Sequence, residues 1–109
     1  MARDRGLEEM LRDDLAAERG LRERPMFGGL AWLLNGNLLC GARVDRMLVR
    51  MGTDGEGWAL ALPDIVPMVM RGRRMPGWVW AGPEAFGDDA LRRRLIGAAL
   101  AFVRSLPAK

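Results

Sequence analysis

Few side chains in this sequence could do covalent or acid–base chemistry. The chain has no histidine, the residue that proteins use most often as a general base and as a metal ligand. Its one serine is Ser105, its one threonine is Thr53 and its one cysteine is Cys40. A serine or cysteine nucleophile needs a neighbouring base, and no imidazole is present to serve as one. We therefore expect the protein not to be an enzyme.

Two pairs of adjacent aspartates, Asp13-Asp14 and Asp88-Asp89, are the remaining candidates for acid–base chemistry. Both pairs lie in segments with a helical pattern, and we interpret the first as a solvated helix face and the second as a helix start. Cys40 is interpreted as a buried, inert thiol, with a redox sensor as the alternative. No catalytic, cofactor-binding or metal-binding residue is assigned, so neither a cofactor nor a metal is expected.

Composition favours one folded domain over residues 1–109. Half of the 109 residues are hydrophobic, which is enough for a packed core without a disulfide or a metal. The apolar runs are too short to cross a bilayer, and the N-terminus lacks the apolar segment of a signal peptide. A single cysteine rules out an internal disulfide and suits a reducing compartment. We expect a cytoplasmic protein with no membrane partner.

The charge balance makes nucleic acid an alternative partner. Seventeen basic residues face fourteen acidic ones, for a net charge of +3, and the two signs are mixed along the chain. The densest basic cluster consists of Arg71, Arg73 and Arg74, which we place at a hairpin tip. A solvated turn is the default interpretation of this cluster, and contact with an anion or a nucleic acid is the alternative.

Hydrophobic periodicity predicts an α+β domain with the element order α-β-β-β-α-β-β-α. Residues 4–20 carry a helical stripe, and residues 24–51 change to the period of two that is typical of strands. A short helix is predicted over 54–62 from the capping-box spacing of Thr53 and Glu56.

The second half of the chain completes this predicted order. It contains an antiparallel pair of strands over 66–71 and 75–81, then a short helical turn over 83–86. A last helix begins at Asp88 and ends before Pro107. Antiparallel strands with helices collected on one face form a two-layer sandwich, which is the predicted fold class.

Asn35-Gly36 is the strongest hairpin signal, because a type I′ turn needs positive φ at both central positions. An uninterrupted register from this turn pairs Leu34 with Asn37 and produces one face of small and apolar residues. The residues of this predicted core face are Phe27, Gly29, Ala31, Leu33, Leu38, Cys40, Ala42 and Val44. The residues of the opposite face are Leu30, Trp32, Leu39 and Arg43.

A second tight turn near Asp45-Arg46 predicts a third strand with the same two faces. Its predicted core-face residues are Met47, Val49 and Met51. In the later strand pair, Trp78 and Trp80 alternate with small or aliphatic residues that match the core face, so we place both tryptophans opposite the core. The residues of the predicted open face are Leu30, Trp32, Leu39, Arg43, Leu48, Arg50, Trp78 and Trp80. The alternative places the later tryptophan pair under a helix.

A sheet face of this composition is too apolar to be left in water. Aromatic side chains mixed with arginine are typical of the centre of a protein interface. We therefore predict that the open face contacts another protein chain, most simply a second copy in a homodimer. The alternatives are a nucleic-acid-binding sheet that uses arginine and tryptophan, and a small-molecule sensor with its pocket between sheet and helices.

Six strings occur in order along the chain: RPMFGGLA at 24–31, NG at 35–36, CG at 40–41, LVRMG at 48–52, GRRMPGWVW at 72–80 and AALAFVRSLP at 98–107. This ordered set resembles the TfoX N-terminal domain family, also called TfoX/Sxy. The family-motif residues are Met26, Phe27, Gly28, Gly29 and Gly77, and we interpret them as structural. The Gly28-Gly29 pair matches no phosphate-loop spacing, and we expect it to allow a bulge or the close approach of a helix.

The resemblance implies an α+β fold and a regulatory or interaction role without catalysis. Longer members of the family regulate natural-competence genes together with the cyclic-AMP receptor protein, and they carry a second, helical domain. This chain resembles the first domain alone. The resemblance therefore implies a single-domain member that acts by protein–protein contact, with transcriptional or competence-related regulation as the process.

Overall fold

The computed structural model describes residues 4–26 and 28–109. The helices are α1 (Arg5–Asp14), α2 (Gly57–Leu60), α3 (Pro83–Phe86) and α4 (Asp89–Arg104). The strands are β1 (Leu21–Met26), β2 (Gly29–Leu34), β3 (Asn37–Arg43), β4 (Arg46–Arg50), β5 (Ile65–Met70) and β6 (Arg73–Ala81). Every strand pairing is antiparallel, and the order across the sheet is β1-β2-β3-β4-β6-β5.

The helices pack against one face of this sheet. The main core joins buried residues of the helices to those of the inner side of the strands. A second, smaller cluster belongs to strands alone, and its members are Leu38, Leu48, Met68, Met75, Trp78 and Trp80. The predicted two-layer α+β sandwich, with antiparallel strands and helices on one face, is confirmed.

Aspartate caps begin the two longer helices, and the cap at Asp88 confirms the predicted start of the last helix. The Oδ1 atoms of Asp4 and Asp88 accept hydrogen bonds from the backbone N–H groups of Leu7 and Leu91. The predicted extent of the first helix is wrong, because α1 ends at Asp14 and the chain continues in turns to β1.

The region predicted as one strand from residue 24 is two strands with a turn between them. β1 begins at Leu21, and Gly28, with φ of +75°, lies in the turn before β2. Phe27 lies outside the described residues. The sequence hides β1 because this edge strand is largely exposed and therefore lacks apolar alternation.

The predicted capping box at Thr53 and Glu56 is also wrong. Helix α2 covers Gly57–Leu60 only, and the Glu56 carboxylate accepts a hydrogen bond from the backbone N–H of Gly77 over 2.7 Å. The same carboxylate pairs with Arg74 at 2.7 Å. Glu56 thus ties the α2 region to β6, a long-range role that local spacing does not reveal.

The Asn35-Gly36 hairpin is confirmed, with φ of 52° and 84° at its two central residues. Leu34 faces Asn37, as the predicted register requires. Both of these flanking residues are buried, so they belong to the core side of the sheet.

A β-bulge close to this hairpin changes the predicted faces. Leu33 faces Leu38, but the next pair is Trp32 with Cys40, which leaves Leu39 as an extra residue in β3. One extra residue shifts the alternation of a strand by one position. Cys40 therefore keeps its predicted core position while sharing the core side with Trp32.

The predicted open-face positions of Leu30, Trp32 and Leu39 are consequently wrong. All three are buried in the main core, and Trp32 is only 1% exposed. Ala31 and Leu33, which are predicted to face the core, instead lie on the side of the sheet away from the helices. The predicted core residues of the later strands are confirmed as buried, and they are Met47, Val49, Met51, Val79 and Ala81.

A buried ion pair joins α1 to α4. The Nε atom of Arg92 donates to Asp14 Oδ2 over 2.7 Å, and the two side chains are 3% and 6% exposed. Arg92 also donates to the Asp89 carboxylate, and this hydrogen bond lowers the pKa of Asp89. The sequence pattern predicts a solvated helix face for Asp14, and this prediction is wrong. Asp14 holds two helices together.

Candidate interaction surface

The side of the sheet that faces away from the helices is called the outer face below. Residues that pair directly across antiparallel strands point to the same side of a sheet, so the register defines its members. One row crosses all six strands through Arg24, Ala31, Gly41, Leu48, Trp80 and Val66. Neighbouring rows add Arg22, Leu33, Leu38, Arg43, Arg46, Arg50 and Trp78.

Five of the eight residues predicted for the open face lie on the outer face, and these are Arg43, Leu48, Arg50, Trp78 and Trp80. The other three belong to the main core, as described above. Sequence reasoning misses Arg22, Arg24 and Arg46 as members of this surface. The first two lie in β1, which lacks a strand signal, and the third falls in the predicted turn.

Arginine side chains lie over both outer-face tryptophans. The guanidinium carbon of Arg46 is 3.9 Å from the ring centroid of Trp80, and that of Arg43 is 5.8 Å from it. The guanidinium carbon of Arg50 is 4.9 Å from the ring centroid of Trp78. These distances are within cation–π range. Trp80 is 7% exposed beneath this cover.

The outer face is basic and supplies no counter-charge of its own. Among the strand residues that the structure describes, Glu23 is the one carboxylate, and its pairing with the core residue Trp32 puts it on the helix side. Burial lowers the pKa of Arg46 and Arg50, and the charge of Arg43 lowers the pKa of Arg46 further. The surface therefore has the electrostatics of a site that favours an anionic partner.

An apolar groove of about 180 Å³ opens on the outer face, and its lining is Leu38, Leu48, Met68, Met70, Met75 and Trp78. Beside it, Val66 of β5 is 54% exposed. Met68 and Met70 follow Val66 at intervals of two residues in β5, so alternation places them on the outer side, where Met68 joins the outer cluster. Sequence reasoning misses the methionines because it assigns no faces to the strand predicted over 66–71.

The family model of the TfoX N-terminal domain matches residues 13–103. The chain belongs to this family. The match covers the whole sheet, including every residue of the outer face, and it confirms the resemblance drawn from the ordered strings. Comparison with curated proteins and with solved structures gives no match.

The TfoX-family glycines lie at turns and close backbone contacts. Gly28 has φ of +75°, and a Cβ atom on Gly29 would lie 2.0 Å from the carbonyl oxygen of Ala42. The close approach at Gly29 is thus made by strand β3, whereas the sequence suggested a bulge or a helix. Met26 pairs with Gly29 across the β1–β2 turn.

Gly77 is the other family-motif glycine, with φ of +87°. Its carbonyl oxygen accepts hydrogen bonds from the backbone N–H groups of Met51 and Gly52. A Cβ atom here would lie 3.0 Å from the backbone of the facing loop. A side chain at Gly77 would therefore be strained by both its φ and the close contact.

The predicted anion cluster surrounds the turn between β5 and β6. The turn is formed by Arg71-Gly72, between the end of β5 and the start of β6. All three arginines are exposed, and Arg74 alone among them forms a salt bridge within the described residues, with Glu56. Two of the three arginines thus extend the basic surface at the end of β6.

The side chains considered for chemistry are not gathered at one place. Cys40 is fully buried, and burial raises the pKa of its thiol to about 12. The Ser105 hydroxyl donates to the backbone oxygen of Phe102. Within residues 4–26 and 28–109, no three His, Cys, Asp or Glu side chains are grouped to hold a metal. No helix in the same ranges is long and apolar enough to cross a membrane.

Both edges of the TfoX-family sheet carry proline, Pro25 in β1 and Pro67 in β5. Proline cannot donate a ladder hydrogen bond, and edge prolines discourage the addition of another strand. Neither edge is therefore well suited to pairing with a further strand.

Proposed function

We propose that this TfoX N-terminal family domain is a non-enzymatic interaction domain whose outer face binds a protein partner. The observation that carries the proposal is an apolar cluster with no helix over it. Its groove opens beside Trp78, and Val66 on the same face is more than half exposed. Contiguous exposed apolar surface on a small domain marks an interaction site.

The absence of catalysis is part of the proposal. It is supported by the lack of histidine in the sequence. It is supported further by Cys40, whose buried thiol has a raised pKa, and by Ser105, whose hydroxyl is bonded to backbone. A thiol with such a pKa is a poor nucleophile at neutral pH.

Nucleic acid is the second candidate, because the outer face is basic. Sheets that bind single strands offer open aromatic faces on which bases stack. Here Arg46 lies over Trp80, and Arg50 lies over Trp78. The groove is lined by leucine, methionine and tryptophan, which offer little hydrogen bonding to base edges. These features favour a protein partner.

A second copy of the chain is the simplest protein partner expected from the sequence. Face-to-face contact between two outer faces would set arginines against arginines, because no carboxylate of the described strands points to that side. Like charges opposed across an interface cost several kcal/mol. The charge of the outer face therefore favours a different chain. The regulatory part of the proposal, transcriptional or competence-related, rests on family membership alone.

Site-specific photo-crosslinking in the native cell tests the proposal. A photoreactive residue replaces Val66 on the outer face, and the matched control replaces Ala101, which is exposed on α4. We expect a discrete protein adduct from position 66 only, which fades when Trp78→Glu is added. A nuclease-sensitive adduct would favour nucleic acid, and an adduct of two identical chains would favour the homodimer. Equal labelling from both positions would contradict a partner at the outer face.

A further inference from the structure

We propose that the segment bound by the outer face is acidic and carries a bulky apolar side chain between its carboxylates. This inference rests on the proposed function and adds the chemistry of the partner. The outer-face arginines meet the carboxylates, and the groove beside Leu48 receives the apolar side chain.

The charge of the outer face selects an acidic partner. Its arginines are Arg22, Arg24, Arg43, Arg46 and Arg50. In the described part of the chain, the last three form no salt bridge. Arg43 and Arg46 face each other directly across β3 and β4, which is unfavourable for like charges. A carboxylate between them relieves the repulsion and accepts charge-assisted hydrogen bonds from both.

The two arginines of β4 define a spacing for the partner. Arg46 and Arg50 lie on either side of Leu48, four residues apart, which corresponds to about 13 Å along a strand. Tryptophan rings lie beneath both guanidinium groups, so these side chains lose less freedom on binding than unsupported ones. An extended segment with acidic residues at the same spacing matches both.

The apolar groove adds a second requirement to the partner, which must supply an apolar side chain as well as negative charge. It lies beside Leu48, and every lining residue is leucine, methionine or tryptophan. Its volume of about 180 Å³ suits one aliphatic or aromatic side chain, and methionines adapt their shape to the group that they contact. Nucleic acid supplies anions without an aliphatic group, and a second copy supplies apolar groups without carboxylates from this face. An acidic segment with an apolar anchor supplies both.

Selection from an unbiased library of displayed peptides, carried out on the folded 109-residue chain, tests this inference. We expect enrichment of aspartate or glutamate on both sides of leucine, isoleucine, phenylalanine or methionine. For the most enriched peptide, Arg46→Glu and Arg50→Glu should each weaken affinity about tenfold or more. Arg5→Glu, an exposed change on α1, should leave affinity within about twofold, since α1 packs on the opposite side of the sheet. Circular dichroism confirms that each variant is folded.

Selected peptides without acidic enrichment would overturn the inference. So would acidic peptides whose affinity survives both arginine changes, or the selection of no peptide at all. Tighter, arginine-dependent binding of a labelled single-stranded oligonucleotide would overturn it in favour of nucleic acid. If the protein adduct at position 66 persists while acidic enrichment fails, the proposed function stands and only the acidic partner is wrong.

Discussion

Arg46 lies over Trp80, with 3.9 Å between the guanidinium carbon and the ring centroid, and it also faces Arg43 directly across two strands. A cation–π contact at an exposed site stabilises by about 0.5–1 kcal/mol. A like-charged cross-strand pair destabilises by a similar amount, about 0.2–1 kcal/mol. The two effects nearly cancel in the free protein. Arg46 thus covers the Trp80 ring and holds a positive charge at the surface, but it adds little to the stability of the fold. This is expected of a residue that serves binding.

Removal of Arg46 should therefore expose Trp80 more than it destabilises the fold. We expect Arg46→Ala to change the free energy of unfolding by less than about 1 kcal/mol, because the lost ring contact offsets the relieved repulsion. The Trp80 indole N–H should exchange faster with solvent, as measured by NMR. Arg43→Ala is the matched control, since Arg43 lies 5.8 Å from the ring centroid and should cover it less. Unchanged exchange in Arg46→Ala would contradict the covering role.

Two tryptophans on opposite sides of the sheet should differ sharply in their contribution to stability. Trp32→Ala should lower the free energy of unfolding by about 3–5 kcal/mol, because it leaves a cavity in the main core. Trp78→Ala, at a half-buried outer-face position, should cost less than about 2 kcal/mol. Denaturant unfolding measures both. Equal losses would contradict the faces that the β-bulge produces.

The sequence predicts the architecture well, because caps, turns and hydrophobic periods are local. Asp4, Asp88 and the Asn35-Gly36 turn each act through hydrogen bonds or dihedral angles within a few residues. The inward positions of Val49 and Val79 follow from simple alternation, and both are fully buried. Elements of this kind could be read from the chain alone.

The composition of the outer face could be predicted only in part, because one β-bulge breaks the alternation. Without a bulge, Cys40 and Trp32 cannot both face the core. Uninterrupted alternation therefore assigns the core to the face with small residues and places Trp32 on the opposite face. Adding Leu39 as an extra residue buries all three. The roles of Glu56 and Asp14 were also hidden from local patterns, because their partners lie far along the chain.

The buried pair of Asp14 and Arg92 should be essential to the packing of α1 on α4. Asp14→Ala leaves the buried Arg92 guanidinium with the exposed Asp89 as its remaining carboxylate partner, which should cost about 3 kcal/mol, at the lower end for a broken buried pair. Replacing both partners, as Asp14→Leu with Arg92→Met, should recover much of this loss because no uncompensated charge remains. Thermal unfolding of the single and double variants measures the coupling. A double variant no more stable than Asp14→Ala would show that the pair is not the source of the loss.

The Cys40 thiol should be inert in the folded protein and should link stability to pH in the alkaline range. Burial raises its pKa from 9.0 to about 12, so the folded state keeps a proton that the unfolded state releases. This contribution is complete below about pH 9 and is lost as the pH rises towards about 12, by up to about 1.4 kcal/mol per pH unit. Cys40→Ala removes the titrating group, so its stability should fall less steeply over the same range in denaturant unfolding. A thiol reagent at neutral pH should label the wild type only after denaturant is added. Rapid labelling of the folded chain would show instead that the thiol reaches solvent and that the redox-sensor interpretation of Cys40 should be preferred.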